Sequence, residues 1–433
     1  MSFQQGLSGL NSSARALDVV GNNIANAGTV GFKGARGEFA DVYAASLTGA
    51  GASQIGVGAV LPNIAQQFTQ GNLTTTSNTL DVAINGGGFF RMSNNGAISY
   101  TRNGQFSIDK EGYIVNAQGY RLTGYPADYS VDSVGIIVPS TPTELFIDPA
   151  DLQPKQTGEI SIGLNLDSRK DVPPPGHTTF DPADPLSYTA STAVTIYDSL
   201  GNPHVLTMYF VKLATPGQWN MYTSLDSVSD NSVPPPSPSP IFSAGNPTTL
   251  IFNTAGVLTS PLTPTTFNVS LNNVATNLGK VNNANPTQSF TIDLSTCTQF
   301  GSVFGVNKMV QDGFSSGRLA GLSISPDGVI QGRYSNGQSR NMGQIVLAKF
   351  NNPNGLMNLG GNQWQETSAS GQPLIGAPGT GSNGVVQSGA IEESNVDLTA
   401  ELVSMITLQR MYQANAQTIK TQDAIMQTLV NLR

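Results

Sequence analysis

The last stretch of the chain, residues 395–433, carries a seven-residue apolar repeat that constrains the fold more than any other feature. Pro and Gly are absent from it, so one continuous helix is predicted. At 1.5 Å per residue this helix would be roughly 58 Å long, too long to bury its apolar stripe against one small domain. It therefore needs a partner helix. The repeat consists of Leu398, Met405, Tyr412, Ile419 and Met426, with Leu402 at the companion position.

The apolar seam of this helix is weak. Gln409 and Asp423 occupy companion positions where a self-sufficient coiled coil has Val, Ile or Leu. Ser394 or Asn395 is the predicted N-cap, since either side chain can accept the free N–H groups of the first turn. An ordinary core helix shows a similar stripe, but the length of this segment favours a helix that forms an assembly.

Residues 3–26 repeat the pattern and are the predicted partner helix. Two heptad segments at opposite ends of one chain imply that the termini come together and that the middle is threaded between them. Ala14 and Gly21 stand at companion positions, where small side chains would let neighbouring helices approach closely. The large residues of this repeat are Phe3, Leu7, Leu10, Leu17 and Ile24.

Between the helices, short apolar segments separated by turn signals predict an antiparallel β fold. Similar turns near both ends of this region assign residues 72–148 and 313–381 to one domain that is split in sequence. Residues 149–312 form an insertion with Pro-rich breaks at 173–175 and 234–240, predicted to be a β-sandwich or barrel. The predicted strands of the insertion are Val194 to Tyr197, Val205 to Val211, Phe267 to Leu271 and Phe290 to Leu294.

The predicted fold is therefore mainly β with long terminal α-helices. Two β domains, one inserted in the other, stand on an α-helical coiled-coil stem made from both chain ends, residues 1–27 and 395–433. A connector of residues 28–71 and 382–394 links the stem to the β domains. Its first part is rich in Gly, Ala and Ser, and we expect it to take its shape only in the assembly.

Composition excludes several classes of function. Charged residues make up only 11 % of the chain, against about a quarter in an average soluble protein. The net charge of -8 argues against nucleic-acid binding, which requires a basic face. No apolar run approaches the length of a membrane span, and the first residues lack the basic and apolar regions of a secretory signal. Neither membrane insertion nor signal-peptide secretion is predicted.

The residues that could carry catalysis or bind a cofactor lack a supporting motif. No catalytic motif surrounds His177 or His204, and Cys297 is the only cysteine. The His and Cys residues do not have the spacing of a zinc site. Gly379 to Gly384 matches G-x-G-x-x-G, but two prolines precede it and no helix opens on it, as a dinucleotide site requires. We therefore predict no catalytic, metal or cofactor site and no enzymatic activity.

Motifs at both ends of the chain resemble those of the bacterial flagellar rod and hook axial protein family. The N-terminal motif is Gly21-Asn22-Asn23-Ile24-Ala25-Asn26, followed by Gly31-Phe32-Lys33. The C-terminal motif runs from Ser394 to Glu401 and from Gln409 to Gln417. Leu80 to Phe90 is also similar, and the insertion matches more loosely.

The resemblance implies a structural subunit that polymerises helically into the flagellar hook, a flexible tubular universal joint that transmits torque from rod to filament. The large insertion favours the hook over the distal rod, and a β-rich surface adhesin would need a signal or anchor. The implied partners are copies of the chain itself, the flagellar rod, the hook cap, the hook–filament junction proteins and the export apparatus. The implied location is outside the cell, attached to the basal body. Phe3 and Leu7 are candidate export-signal residues, with the helix seam as their alternative role.

Two physical expectations accompany this interpretation. Both termini are expected to be disordered in the free monomer and to fold on assembly, when neighbouring subunits bury the apolar seam. The uncharged faces of the β domains are expected to let subunits slide as the tube bends, since strong ion pairs would fix one register.

Overall fold

The computed structural model describes residues 2–42, 56, 58–130, 134–228, 241–244 and 246–431. Within it the chain forms two compact units. The first comprises Met1–Pro149, Ala320–Arg333 and Ser339–Arg433, and the second comprises Ala150–Leu319 and Tyr334–Gln338. Residues 43–55 and 57 of the predicted connector, and the predicted Pro-rich break at 234–240, lie outside the described residues.

The described residues form three α-helices: α1 (Ser2–Ala25), α2 (Leu271–Asn277) and α3 (Leu398–Asn431). The predicted terminal helices are thus confirmed, and they pack on each other. The predicted N-cap of α3 is wrong. Asp397 caps it, because its Oδ1 accepts the N–H groups of Thr399 at 2.8 Å and Ala400 at 3.2 Å. Asn395 instead binds the connector, accepting the Gly34 N–H at 2.8 Å.

The first unit begins, after α1, with a hairpin that the sequence did not predict. Strands β1 and β2 pair antiparallel within the connector, so its described part already has regular structure in a single chain. The strands of this part are β1 (Ala35–Val42), β2 (Gly58–Gln66), β3 (Leu73–Thr75), β4 (Val82–Asn85), β5 (Phe89–Asn94), β6 (Ala97–Thr101), β7 (Ser107–Ile108), β8 (Ile114–Val115), β9 (Arg121–Asp128), β10 (Ile136–Ile137) and β11 (Thr143–Glu144).

The second unit is a β-sandwich, one of the two folds predicted for the insertion. A six-stranded sheet in the order β16-β19-β20-β12-β21, with β22 also on β12, shares one apolar core with a five-stranded sheet in the order β13-β14-β15-β17-β18. The strands are β12 (Glu159–Asp167), β13 (Ala190–Tyr197), β14 (Pro203–Lys212), β15 (Gln218–Leu225), β16 (Phe242–Ala244), β17 (Thr248–Phe252), β18 (Leu258–Ser260), β19 (Thr265–Ser270), β20 (Thr287–Asp293), β21 (Thr298–Phe300) and β22 (Gly305–Gln311).

The last part of the chain returns to the first unit and completes its main sheet, which runs β23-β24-β25-β9-β5-β6-β28-β27. Strand β31 pairs with β3 and β30 with β4, so the segment before α3 is bound back to the start of the β region. These strands are β23 (Leu319–Ile324), β24 (Val329–Tyr334), β25 (Ser339–Ile345), β26 (Leu347–Lys349), β27 (Met357–Gly360), β28 (Gln363–Gln365), β29 (Leu374–Gly376), β30 (Val385–Ser388) and β31 (Ala390–Glu392), with a 3-10 turn at Pro353–Gly355.

Candidate functional site: the terminal helix pair

Helices α1 and α3 pack antiparallel through a row of small and polar residues on α1. Three pairs of residues define the register: Gly6 with Ile419, Gly9 with Asn415, and Asn23 with Glu401. The approach is close, since a Cβ added to Gly6 would lie 3.1 Å from Ile419 Cγ1. The row repeats at intervals of three and four residues, as a heptad seam does, and its buried members are Gly6, Ser13, Ala16, Val20 and Asn23.

The large residues of the predicted α1 seam lie on another face. At 3.6 residues per turn, their row is rotated by about 100° from the small row. Phe3 is 51 % exposed and Leu7 is 45 % exposed, while Leu10, Leu17 and Ile24 are half-buried. Gly21 does not mark a close approach, because a Cβ added there would meet no atom within 4 Å. The large row is not the contact within the chain, and its use between copies stays a prediction.

On α3, Ile419 lies against Gly6 of α1, Met405 is half-buried and Leu402 is exposed. Leu408 and Asn415, each one residue before a predicted companion position, line the opening beside the small row of α1. Gln409 and Asp423 are therefore exposed and do not interrupt the seam. Leu398, Tyr412 and Met426 are also exposed in the single chain.

Asn23 of the N-terminal motif ties three parts of the first unit together. Its Oδ1 accepts the Ala35 N–H and its Nδ2 donates to the Ala35 carbonyl, both at 2.8 Å. The same Nδ2 donates to Glu401 Oε1 at 3.0 Å. A primary amide has both a donor and an acceptor, so it can bind the backbone N–H and C=O of one residue at once. This buried side chain thus joins the end of α1 to the hairpin and to the first turn of α3.

Lys33 of the same motif belongs to a buried ionic cluster. Its Nζ donates to Glu392 Oε1 at 2.5 Å and to the Thr69 carbonyl at 2.7 Å. Arg102 donates to the other carboxylate oxygen at 3.1 Å, and the Gly71 N–H donates to Oε1 at 2.9 Å. Burial, which Glu392 only partly offsets, holds the pKa of Lys33 below its ordinary value. The cluster locks the motif to the segment before α3, since loss of one partner would leave a buried charge unpaired.

The remaining motif residues shape the turn after α1. Gly31 has φ +70, and a Cβ there would lie 2.7 Å from the Asn103 nitrogen, so only Gly fits. Asn26 Nδ2 donates to Asn22 Oδ1 at 2.6 Å across the last helical turn. Of the other motif residues, Ile24 and Phe32 are half-buried and Ala25 is exposed.

The hairpin of β1 and β2 packs on α1 through hydroxyl groups. Ser8 Oγ donates to the Ala59 carbonyl at 2.7 Å and accepts the Ala59 N–H at 2.9 Å, and Ser12 Oγ donates to the same carbonyl at 3.1 Å. This arrangement leaves Val60 and Ile64 on the hairpin about half exposed. Together with the outward rows of α1 and α3 they form an apolar surface around the terminal helix pair.

Among the described residues, no group of three or more His, Cys, Asp or Glu side chains is placed to hold a metal ion. The two histidines have carboxylate partners within the second unit: His204 contacts Asp226 and Asp198, and His177 contacts Asp184. Cys297 is buried, and desolvation raises the pKa of its thiol to about 11. In the described part of the chain, every helix is too short or too polar to cross a membrane.

Four family models match successive parts of the chain. Residues 3–33 match the flagella basal body rod protein model, and residues 387–432 match the model of the flagellar basal body rod FlgEFG protein C-terminal. Residues 83–162 match the flagellar hook protein FlgE/F/G D1 domain. Residues 165–314 match the flagellar basal body protein FlaE D2 domain.

Full-length relatives share one name. The chain is 42 % identical over 437 residues to the flagellar hook protein FlgE of Escherichia coli (strain K12), covering 100 % of both chains. It is 34 % identical over 463 residues to the flagellar hook protein FlgE of Borreliella burgdorferi, covering 100 % of this chain and 99 % of the other. The crystal structure of Helicobacter pylori flagellar hook protein FlgE2 aligns with a TM-score of 0.52 at 15 % identity, over 72 % of this chain and 99 % of that chain. This last likeness supports the fold alone.

Proposed function

Because this chain belongs to the flagellar hook protein family and is a structural subunit of the bacterial flagellar hook, we propose that its copies polymerise through the outward apolar faces of α1 and α3. The observation that carries this proposal is that the two faces of α1 bear side chains of different size. Small residues face α3 within the chain, while Phe3 and Leu7 remain about half exposed. Burying the exposed half of each side chain between copies would favour assembly by roughly 1 kcal/mol per residue.

The test of location is immunogold electron microscopy of intact cells, with antibody raised against residues 149–312. Label on the short curved segment between the cell surface and the filament is the expected result. Label that requires removal of the envelope would place the chain in the rod, and label scattered over the cell surface would overturn the flagellar assignment.

The test of assembly is limited trypsin digestion of monomer and polymer. Arg15, Arg410 and Lys420 offer cleavage sites within the terminal helices. We expect rapid loss of both ends in the monomer, since few large apolar contacts hold α1 and α3 together, and protection of the same sites in the polymer. Equal protection of the termini in both forms would contradict assembly through these helices.

The partners of this subunit follow from the same proposal. Copies at the ends of the tube would contact the flagellar rod, the hook cap and the hook–filament junction proteins, and the unfolded chain would pass through the flagellar export apparatus to the outside of the cell. Exposed Phe3 and Leu7 are the candidate export-signal residues. Secretion assays with Phe3→Ala and Leu7→Ala separate the two roles: an export defect lowers the secreted amount, whereas a seam defect lowers polymer formed from secreted chain.

The low charge of the chain supports a flexible joint. With only 11 % charged residues, few ion pairs are available to hold the β domains of neighbouring copies in one register. We therefore expect the bending stiffness of isolated hooks to change little between low and high salt. A steep dependence on salt would show that ion pairs dominate the contacts between copies.

A further inference from the structure

The three elements α1, α3 and the hairpin leave an apolar opening between them, which we call the notch. Its volume is about 400 Å³, and it is lined by Gly9, Ser13, Ala16, Phe39, Met411 and Ala414. The small residues of α1 form its floor. Phe39 on the hairpin and Met411 on α3 stand at its sides, 44 % and 47 % exposed. The notch is therefore a hole between two large apolar side chains.

The chain itself shows what fits such a floor. Ile419 of α3 lies against Gly6, close enough that an added Cβ would be 3.1 Å away. Gly9, one turn along the same face, is already covered by Asn415 of the same chain, and Ser13 and Ala16 continue the face beside it. A second large aliphatic side chain from an α3 helix would meet small α1 side chains at Ser13 and Ala16, as Ile419 does at Gly6.

Two large apolar side chains that could fill the notch are exposed at the far end of α3, and we call them the knob. The face that packs on α1 continues one heptad past Ile419 to Met426, which is 55 % exposed, and the neighbouring Ile425 is 49 % exposed. This end cannot fold back into the notch of its own chain, because Ala414 and Met426 are about 18 Å apart along one continuous helix. The occupant must come from another copy.

We propose that the notch of one subunit takes Ile425 and Met426 of a second subunit, extending the internal α1–α3 seam from copy to copy. This inference rests on the proposed polymerisation and names one of its contacts. The knob and the notch are different patches of one chain, so the contact is heterologous and propagates into an open polymer. It does not close into a symmetric dimer.

Disulfide cross-linking tests the contact. Cys297, the single native cysteine, is buried and should not form cross-links itself. We would combine Ala414→Cys with Met426→Cys in the full chain, polymerise it and oxidise it. No intrachain disulfide can form at that separation, because Cα atoms must lie within about 7 Å. A ladder of covalent multimers is the expected result. The matched control pairs Gln413→Cys with Met426→Cys, since Gln413 is also exposed but points about 100° away from Ala414.

The outcomes separate this inference from the proposed function. If the unmodified chain forms no polymer, the proposed assembly fails. If polymer forms and the 414/426 pair gives no ladder, or the 413/426 pair gives an equal one, the notch contact alone is wrong. Ala414→Phe provides a second readout, because it fills the notch from an exposed helix position. It should raise the protein concentration needed for polymerisation at least about tenfold with circular dichroism unchanged, and an unchanged threshold would overturn the contact.

Discussion

The sandwich of the second unit turns its large apolar side chains inward, whereas the terminal helix pair turns many of its own outward. In the sandwich, Phe267 and Ile292 are fully buried between two sheets. In the helix pair, glycines form the closest internal contact, while Phe3 and Met426 are more than half exposed. The sandwich core is complete in one chain, whereas we propose that further copies cover the apolar surface of the helix pair.

The contrast suggests a division of roles, in which one region of the chain determines the stability of the monomer and another determines assembly. A complete core contributes to the free energy of unfolding of the monomer. Exposed apolar rows contribute little to it, but lower the free energy of the polymer once copies cover them. Substitutions in the two regions should therefore affect different measurements.

The largest expected effect is the loss of monomer stability on truncating a side chain in the sandwich core. The matched comparison truncates an exposed apolar side chain of α1. Phe267→Ala should lower the free energy of unfolding of the second unit by about 3–5 kcal/mol, because it empties a buried ring site. Phe3→Ala should change monomer stability by less than about 0.5 kcal/mol, yet raise the concentration needed for polymerisation. Denaturant titration followed by Trp219 fluorescence and a sedimentation assay measure the two effects. Equal losses of monomer stability would break the contrast.

The next effect concerns the buried ionic cluster in which Lys33 of the N-terminal motif binds Glu392, in the segment before α3. Glu392→Gln should destabilise the first unit by about 3 kcal/mol, since it leaves Lys33 and Arg102 as buried cations without a counter-charge. Thermal unfolding monitored by Trp364 fluorescence tests this. Adding Lys33→Met removes one of the stranded charges and should recover part of the loss. If Glu392→Gln alone is neutral, the cluster does not hold the helices to the β region.

A smaller effect is expected where α1 and α3 meet. Gly6→Leu should lower the free energy of unfolding of the helix pair by about 1–3 kcal/mol, because a side chain as large as leucine has no room against Ile419. Gly6→Ala is the matched control: its Cβ needs a shift of only a few tenths of an ångström, and the gain in helix propensity offsets this. Helicity of the monomer followed by circular dichroism on heating measures both. A neutral Gly6→Leu would show that the small row is not required.

Sequence reasoning recovered the parts of this fold that rest on local periodicity. The heptads located both helices, and alternation located strands around Phe267 and Phe290 that lie in the sandwich core. Periodicity does not locate the face that α1 turns to α3, because the large apolar residues of α1 repeat on a different face. The signal that would have found it is the same three-and-four spacing among small residues from Gly6 to Asn23.

Contacts between distant segments could not be predicted in this way. Lys33, Arg102 and Glu392 meet only because the chain returns after hundreds of residues, and no local pattern marks that pairing. The hairpin of the connector was missed for a related reason. Its strands are stabilised by hydrogen bonds from Ser8 and Ser12 of α1 to Ala59, so its order depends on tertiary structure.

The smallest expected effect is a pH dependence of the stability of the sandwich. His204 Nδ1 lies 2.6 Å from Asp226 Oδ2, and its Nε2 lies 3.5 Å from Asp198 Oδ2. The hydrogen bond to Asp226 raises the pKa of His204 above 6.5, more than desolvation lowers it. Its contribution to stability is therefore complete below the unfolded pKa and is lost as pH rises through the higher folded pKa. We expect the second unit to lose about 1 kcal/mol or less over that range, and His204→Gln to abolish the change. Imidazole proton resonances give the pKa directly, and a midpoint for His204 below 6.5 would contradict the ion pair.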